Sequence, residues 1–111
     1  MEFRTRLVVN PAHFQLSYAD RMMVVGSCFA EYAGLSLKER GFRTWVNPFG
    51  VLYNPASIVM NLRRLRDGVL FREDELFVHE GFYHSFYHHG SFSGVDKTAT
   101  LNQMNASFRE A

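Results

Sequence analysis

The chain has a single cysteine, Cys28, among its 111 residues. One thiol excludes an internal disulfide framework and a four-cysteine zinc site. An excess of one charge sign is also missing. Twelve Lys and Arg stand against eleven Asp and Glu, for a formal net charge of +1. Arg63, Arg64 and Arg66 form a short basic cluster, but no basic stripe runs along the chain to neutralise a phosphate backbone, so no nucleic-acid partner is expected. No apolar run approaches the ~20 residues that cross a bilayer. The first residues, Met1 to Leu7, lack the apolar core of a signal peptide. The expectation is a soluble, cytoplasmic protein without a membrane partner. Internal repeats and low-complexity linkers are absent as well.

Apolar residues are plentiful. They make up 47% of the chain and include eleven phenylalanines. That composition argues against disorder, and a chain of this length buries one core rather than two. A single domain over residues 1–111 is expected.

Patterning sets the expected order of elements. Residues 3 to 9 alternate, with Phe3, Thr5 and Leu7 on one face and Arg4 and Arg6 on the other, and Asn10-Pro11 ends that β run. Residues 22 to 26 read as a continuously apolar strand covered on both faces. Residues 28 to 40 read as a helix whose inner face, Ala30, Ala33, Gly34 and Leu37, is small enough to lie close on a sheet. Gly41 follows as its C-terminal cap. Phe42 to Val46 is a second strand, reached through a helix of suitable length for a βαβ crossover. Asn47 to Gly50 is a loop. Asn54-Pro55 reads as an N-cap with proline at the first helical position. Ile58, Val59, Leu62 and Leu65 supply that helix's buried stripe, and Gly68 ends it. Residues 69–71 and 75–79 are expected to pair as a hairpin across Arg72-Glu73-Asp74. Residues 82 to 92 are rich in aromatics and histidine, and Leu101, Met104 and Phe108 recur at helical spacing.

The chemistry centres on Gly26-Ser27. An apolar strand breaks at a glycine and a helix follows, which puts one hydroxyl at the carboxyl end of a strand and the amino end of a helix. Sites of α/β proteins gather there, because open strand ends form a crevice and unpaired helix N–H groups favour developing negative charge. On local sequence alone Ser27 fits a helix cap better than a nucleophile. Cys28 reads as a small buried hydrophobe rather than a reactive thiol. Asn47 and Asn54 could lend an amide to a cleft, although loop asparagines commonly bond their own backbone. His79, His84, His88 and His89 crowd one segment, and His84 with His88 has helical i, i+4 spacing. No Cys-x-x-Cys or His-Glu-x-x-His pattern supports a zinc site there, so no metal is expected. His84 is instead a candidate for the wall of a cleft.

Gly26-Ser27-Cys28-Phe29-Ala30, followed by Asn47-Pro48-Phe49-Gly50 and Leu52-Tyr53-Asn54-Pro55, resembles the GSCFA domain family, within the SGNH (GDSL-like) group of hydrolases. His84-Ser85-Phe86 and Ser91-Phe92-Ser93 look like a third, weaker signature. The resemblance spans most of residues 20 to 93. It implies the amino-terminal part of a flavodoxin-like three-layer α/β/α sandwich with a mainly parallel sheet, plus a histidine- and aromatic-rich hairpin or loop region. It implies a serine esterase or acyl transferase acting on a small-molecule or carbohydrate O-acyl ester, without a cofactor. Ser27 aligns with the family group's nucleophile, which reverses the cap reading. Gly50 stands in the loop whose glycine N–H, with that of the serine, serves as oxyanion donor.

The chain departs from the group's pattern in three places. Cys28 stands where aspartate commonly follows the serine. Neither Asp-x-x-His, which supplies the base, nor Gly-x-Asn-Asp, which supplies a third oxyanion donor, occurs in the sequence. The expectation is a domain that continues beyond residue 111, with the base located there and an open sheet edge that promotes self-association. Two alternatives remain open: a non-catalytic binding or interaction domain on the same fold, and a histidine metal-binding module.

Overall fold

The computed structural model describes Met1 and residues 3–111. Two short strands, β1 (Arg21–Val24) and β2 (Arg43–Val46), flank the helix α1 (Cys28–Glu39). They pair in parallel, Arg21 opposite Arg43 through Val24 opposite Val46. The β1–α1–β2 unit is therefore the expected crossover. Its close packing comes from Gly34. A Cβ at that position would lie 2.7 Å from Val46 Cγ2 and 3.3 Å from Val24 Cβ, so any larger residue would push α1 off the sheet.

After β2 come α2 (Pro55–Asp67), a 3₁₀ turn at Glu73–Glu75, an antiparallel hairpin of β3 (Phe77–His79) and β4 (Phe82–His84), a second 3₁₀ turn at Gly90–Phe92, and α3 (Lys97–Glu110). Helix ends follow the sequence signals. Asn54 Oδ1 accepts the Ala56 N–H, and Gly68 closes α2 in the left-handed region at φ +67°. Asp96 caps α3 through the Ala99 N–H. The core is aromatic. Phe49, from the loop after β2, meets Phe71, Met104 and Phe108, with Leu52, Leu65, Leu76, Tyr87, Phe92 and Leu101 packed around them. The rings meet edge to face, at 5.7 to 6.3 Å between Phe49, Phe71 and Phe108.

The architecture is mixed α/β. The parallel sheet has two strands among the described residues, and β1 is half-buried rather than covered on both faces. Several expectations are corrected. Residues 3 to 9 form no strand; they are irregular and exposed, and among the described residues no strand pairs with them. The hairpin is displaced along the chain. Residues 69–71 do not pair with 75–79, since the side chain of Asn105 takes both the N–H and the C=O of Phe71, at 2.8 and 3.0 Å. That amide does the work of a partner strand. In α2 the buried position is Asn61, whose Nδ2 donates to Tyr87 O, while Val59 and Leu62 are exposed. Cys28 is exposed rather than buried, at the first residue of α1.

Candidate active site

Ser27 occupies the N-cap position of α1 with extended backbone, φ −73° and ψ −175°. Its carbonyl accepts the Glu31 N–H at 3.1 Å, so the backbone starts the helix. The hydroxyl makes no capping hydrogen bond. A serine kept only as a cap would spend its Oγ on the N–H two or three residues on. This side chain is half-buried and not so engaged. The first N–H groups of α1 have no partner within the helix, as at any helix start.

The loop after β2 is tied to this turn. The Asn47 N–H donates to Val24 O at 2.8 Å, which carries the parallel ladder one residue beyond the strands. Asn47 Oδ1 accepts the Gly26 N–H at 2.9 Å. The Leu52 N–H donates to Gly26 O, also at 2.9 Å. Gly26 is thus held on both sides, and the Ser27 turn and the 47–52 loop leave the same carboxyl edge of the sheet together. Asn47 is buried and adopts φ +43°, a conformation that asparagine tolerates better than most residues.

Gly50 has φ +80°, and a Cβ there would fall 2.5 Å from His89 Cβ. Both facts require glycine. Its N–H donates to Asn47 O at 2.8 Å and closes the turn. Asn54 stands apart from the loop cluster as the α2 cap, with its Oδ1 occupied.

The histidines separate. His84 lies on β4, its Nδ1 against Ser93 Oγ at 2.7 Å and its Nε2 against His79 O at 3.3 Å. The segment is not helical, so the i, i+4 spacing of His84 and His88 does not put them side by side. His88 is packed among Phe71, Phe92 and Phe49, with ring centroids 4.5, 4.9 and 5.6 Å away. Burial, and then the charge of Arg64, push its pKa down to about 4. His88 is therefore a neutral core residue. Ser85 Oγ accepts the Tyr87 N–H and lies 3.0 Å from His88 Nδ1, so the two side chains share a hydrogen bond.

His89, rather than His84, stands against Gly50. Its N–H donates to Phe49 O at 2.9 Å, and its Nδ1 accepts the Ser91 N–H. The Ser107 hydroxyl donates to Pro48 O at 2.6 Å. The Pro48-Phe49-Gly50 segment is consequently braced by the histidine-rich region and by α3. Sequence reading misses both braces, because they join residues forty to sixty positions apart. Among the described residues no group of three or more His, Cys, Asp or Glu side chains converges as metal ligands. No helix among them is long and apolar enough to cross a membrane. A groove of about 590 Å³ runs along β2 between α1 and α3, lined by Leu35, Trp45, Pro48 and Ser107 among others; neither Ser27 nor Gly50 lines it.

The family model named GSCFA family matches residues 21–111. No curated protein and no solved structure matches the chain. The matched span begins at the first residue of β1 and takes in the Ser27 turn, the loop tied to it and every later element of the fold; the chain belongs to the GSCFA family.

Proposed function

We propose that this chain forms the nucleophile-bearing part of a serine esterase or acyl transferase, built on a flavodoxin-like sandwich. The observation that carries the reading is the Ser27 hydroxyl, which sits at a strand–turn–helix junction and is not spent on capping. In this reading Ser27 Oγ attacks the acyl carbon of an ester and passes its proton to a general base. The carbonyl oxygen becomes an oxyanion beside the Ser27 N–H and the α1 amino terminus. Collapse expels the alcohol, which takes the proton back from the base. Water then releases the acid, or a second alcohol accepts the acyl group. The substrate class is a small-molecule or carbohydrate O-acyl ester.

Two requirements follow. The Gly50 N–H donates to Asn47 O at rest, so it serves the oxyanion only by exchanging that partner. In this reading the base is placed in a segment beyond Ala111, because residues 1–111 hold no Asp-x-x-His and, among the described residues, no histidine is hydrogen-bonded to Ser27. The occupied Gly50 N–H also favours a second reading, in which the same fold is a non-catalytic binding domain.

Turnover of a p-nitrophenyl ester separates the two. The assay compares the complete protein, its Ser27→Ala variant and residues 1–111 alone. General-base assistance contributes about a hundredfold to ten-thousandfold. The complete protein is expected to turn over by at least that margin above the other two. Equal activity in all three would make Ser27 a helix-start residue and leave the binding reading.

A further inference from the structure

Asn47 is a costly residue where it stands. Its backbone is left-handed at φ +43°. Its side chain is buried, 8% exposed. The Gly26 N–H can only donate, so Oδ1 must face it, and Nδ2 is then left buried without a hydrogen-bond partner among the described residues. Glycine would relieve the backbone and remove the unpaired donor at once. What glycine would lack is the acceptor on Gly26.

That acceptor acts on the residue next to Ser27. Gly26 is gripped by Asn47 Oδ1 at its N–H and by the Leu52 N–H at its C=O, at 2.9 Å each. The Asn47 carbonyl also holds the Gly50 N–H. One residue therefore sets the distance between the serine turn and the glycine loop. We propose that Asn47 is a positioning residue, whose carboxamide oxygen fixes the Val25–Gly26 peptide, next to the Gly26–Ser27 peptide that the Leu52 N–H holds, and with it the direction of the serine hydroxyl. Strained, incompletely satisfied side chains of this sort concentrate at functional sites, where the surrounding fold holds them. The inference rests on the proposed serine chemistry for its effect on reactivity, but not for its effect on the turn.

The test uses the complete protein with Asn47→Gly and Asn47→Asp. Glycine accepts the backbone and discards the side chain; aspartate keeps the acceptor oxygen and puts a second oxygen where the unpaired amide nitrogen stood. Three quantities are read: thermal midpoint, hydrogen exchange of the Gly26 amide, and the rate of Ser27 labelling by a fluorophosphonate. A misplacement of about 1 Å at a reacting group costs on the order of a hundredfold in rate. Asn47→Gly is expected to keep its midpoint, to exchange the Gly26 amide faster and to label about a hundredfold more slowly, with Asn47→Asp recovering most of the labelling. Unchanged Gly26 exchange in Asn47→Gly would overturn the proposal, as would wild-type labelling despite faster exchange. If the wild type itself does not label, the esterase reading fails, and the Gly26 exchange still decides whether Asn47 holds the turn.

Discussion

At the scale of single residues, His88 links the fold to pH. Its folded pKa lies at about 4, against 6.5 for a free histidine, because burial among phenylalanines disfavours the charged ring. Between those values the unfolded chain binds a proton that the native chain refuses. Stability therefore rises with pH across the window and is lost as pH falls through it. The full effect is about 3 kcal/mol. Urea unfolding at about pH 7 and about pH 4.5 is expected to show most of this loss in the wild type and little of it in His88→Phe. An equal loss in the variant would place the titration elsewhere. Residue-scale features differ in how well a sequence displays them. Ser27 is legible because an apolar run ends at Gly26, and the Asn54 cap is legible because proline follows it. The left-handed Asn47 is not legible as a node, since its partners, Val24 and Gly26, are over twenty positions away.

At the scale of elements, Arg64 joins α2 to the chain that follows it. Nε and Nη2 donate to the carbonyls of Val69 and Leu70 at 2.8 and 2.7 Å, and the guanidinium pairs with both Glu75 oxygens at 2.6 Å. Its Cζ lies 4.0 Å from the centroid of the Phe71 ring and 4.9 Å from that of Tyr87. The pair is well covered, with side-chain exposures of 10% and 22%. The arginine holds the Glu75 carboxyl below its ordinary pKa, and the backbone N–H of Arg72 assists. Arg64→Leu would leave that carboxylate with the Arg72 N–H alone and take the guanidinium from two carbonyls, at a cost of about 3 kcal/mol. Arg64→Lys is expected to recover less than half, because an ammonium cannot reproduce the fork. Chemical denaturation of the two variants measures both. In the sequence this arginine is one of three in a basic cluster, and nothing local marks it as the buried one. The hairpin is misplaced for a related reason. The apolar run Val69-Leu70-Phe71 favours a strand, but the side chain of Asn105 on α3 takes the N–H and C=O of Phe71. Helices, whose caps and stripes are local, come through the sequence well; pairings made by distant side chains do not.

At the scale of the whole molecule, the elements close over one aromatic core but leave much apolar surface open. The radius of gyration is 17.4 Å, against about 13 Å for a compact chain of this length. Part of the excess is the irregular segment before β1, in which Phe3, Leu7, Val8 and Val9 are exposed. The outer face of α1 adds Phe29 and Tyr32, at 79% and 78% exposure, and the two-stranded parallel sheet pairs on one side of each strand only. The local β–turn–α unit is legible in the sequence because its signals lie within thirty residues. The layering is not, because strand order in a sheet is fixed by long-range pairing that periodicity does not encode. Apolar faces and unpaired strand edges of this extent drive association in water. Residues 1–111 expressed alone are therefore expected to self-associate with rising concentration, towards about 100 μM, the range in which exposed apolar surface and strand edges bring chains together. Sedimentation velocity reads this as a shift of the boundary with concentration. Two variants tell which surface is responsible. Phe29→Glu with Tyr32→Glu removes the helix face and leaves the sheet edges untouched, so a monomeric double variant assigns the contact to α1. Association that persists in that variant but weakens on Thr44→Pro, which blocks hydrogen bonding along β2, assigns it to the sheet edge. A wild-type chain that stays monomeric throughout would mean that the irregular segment before β1 folds back over these faces in solution.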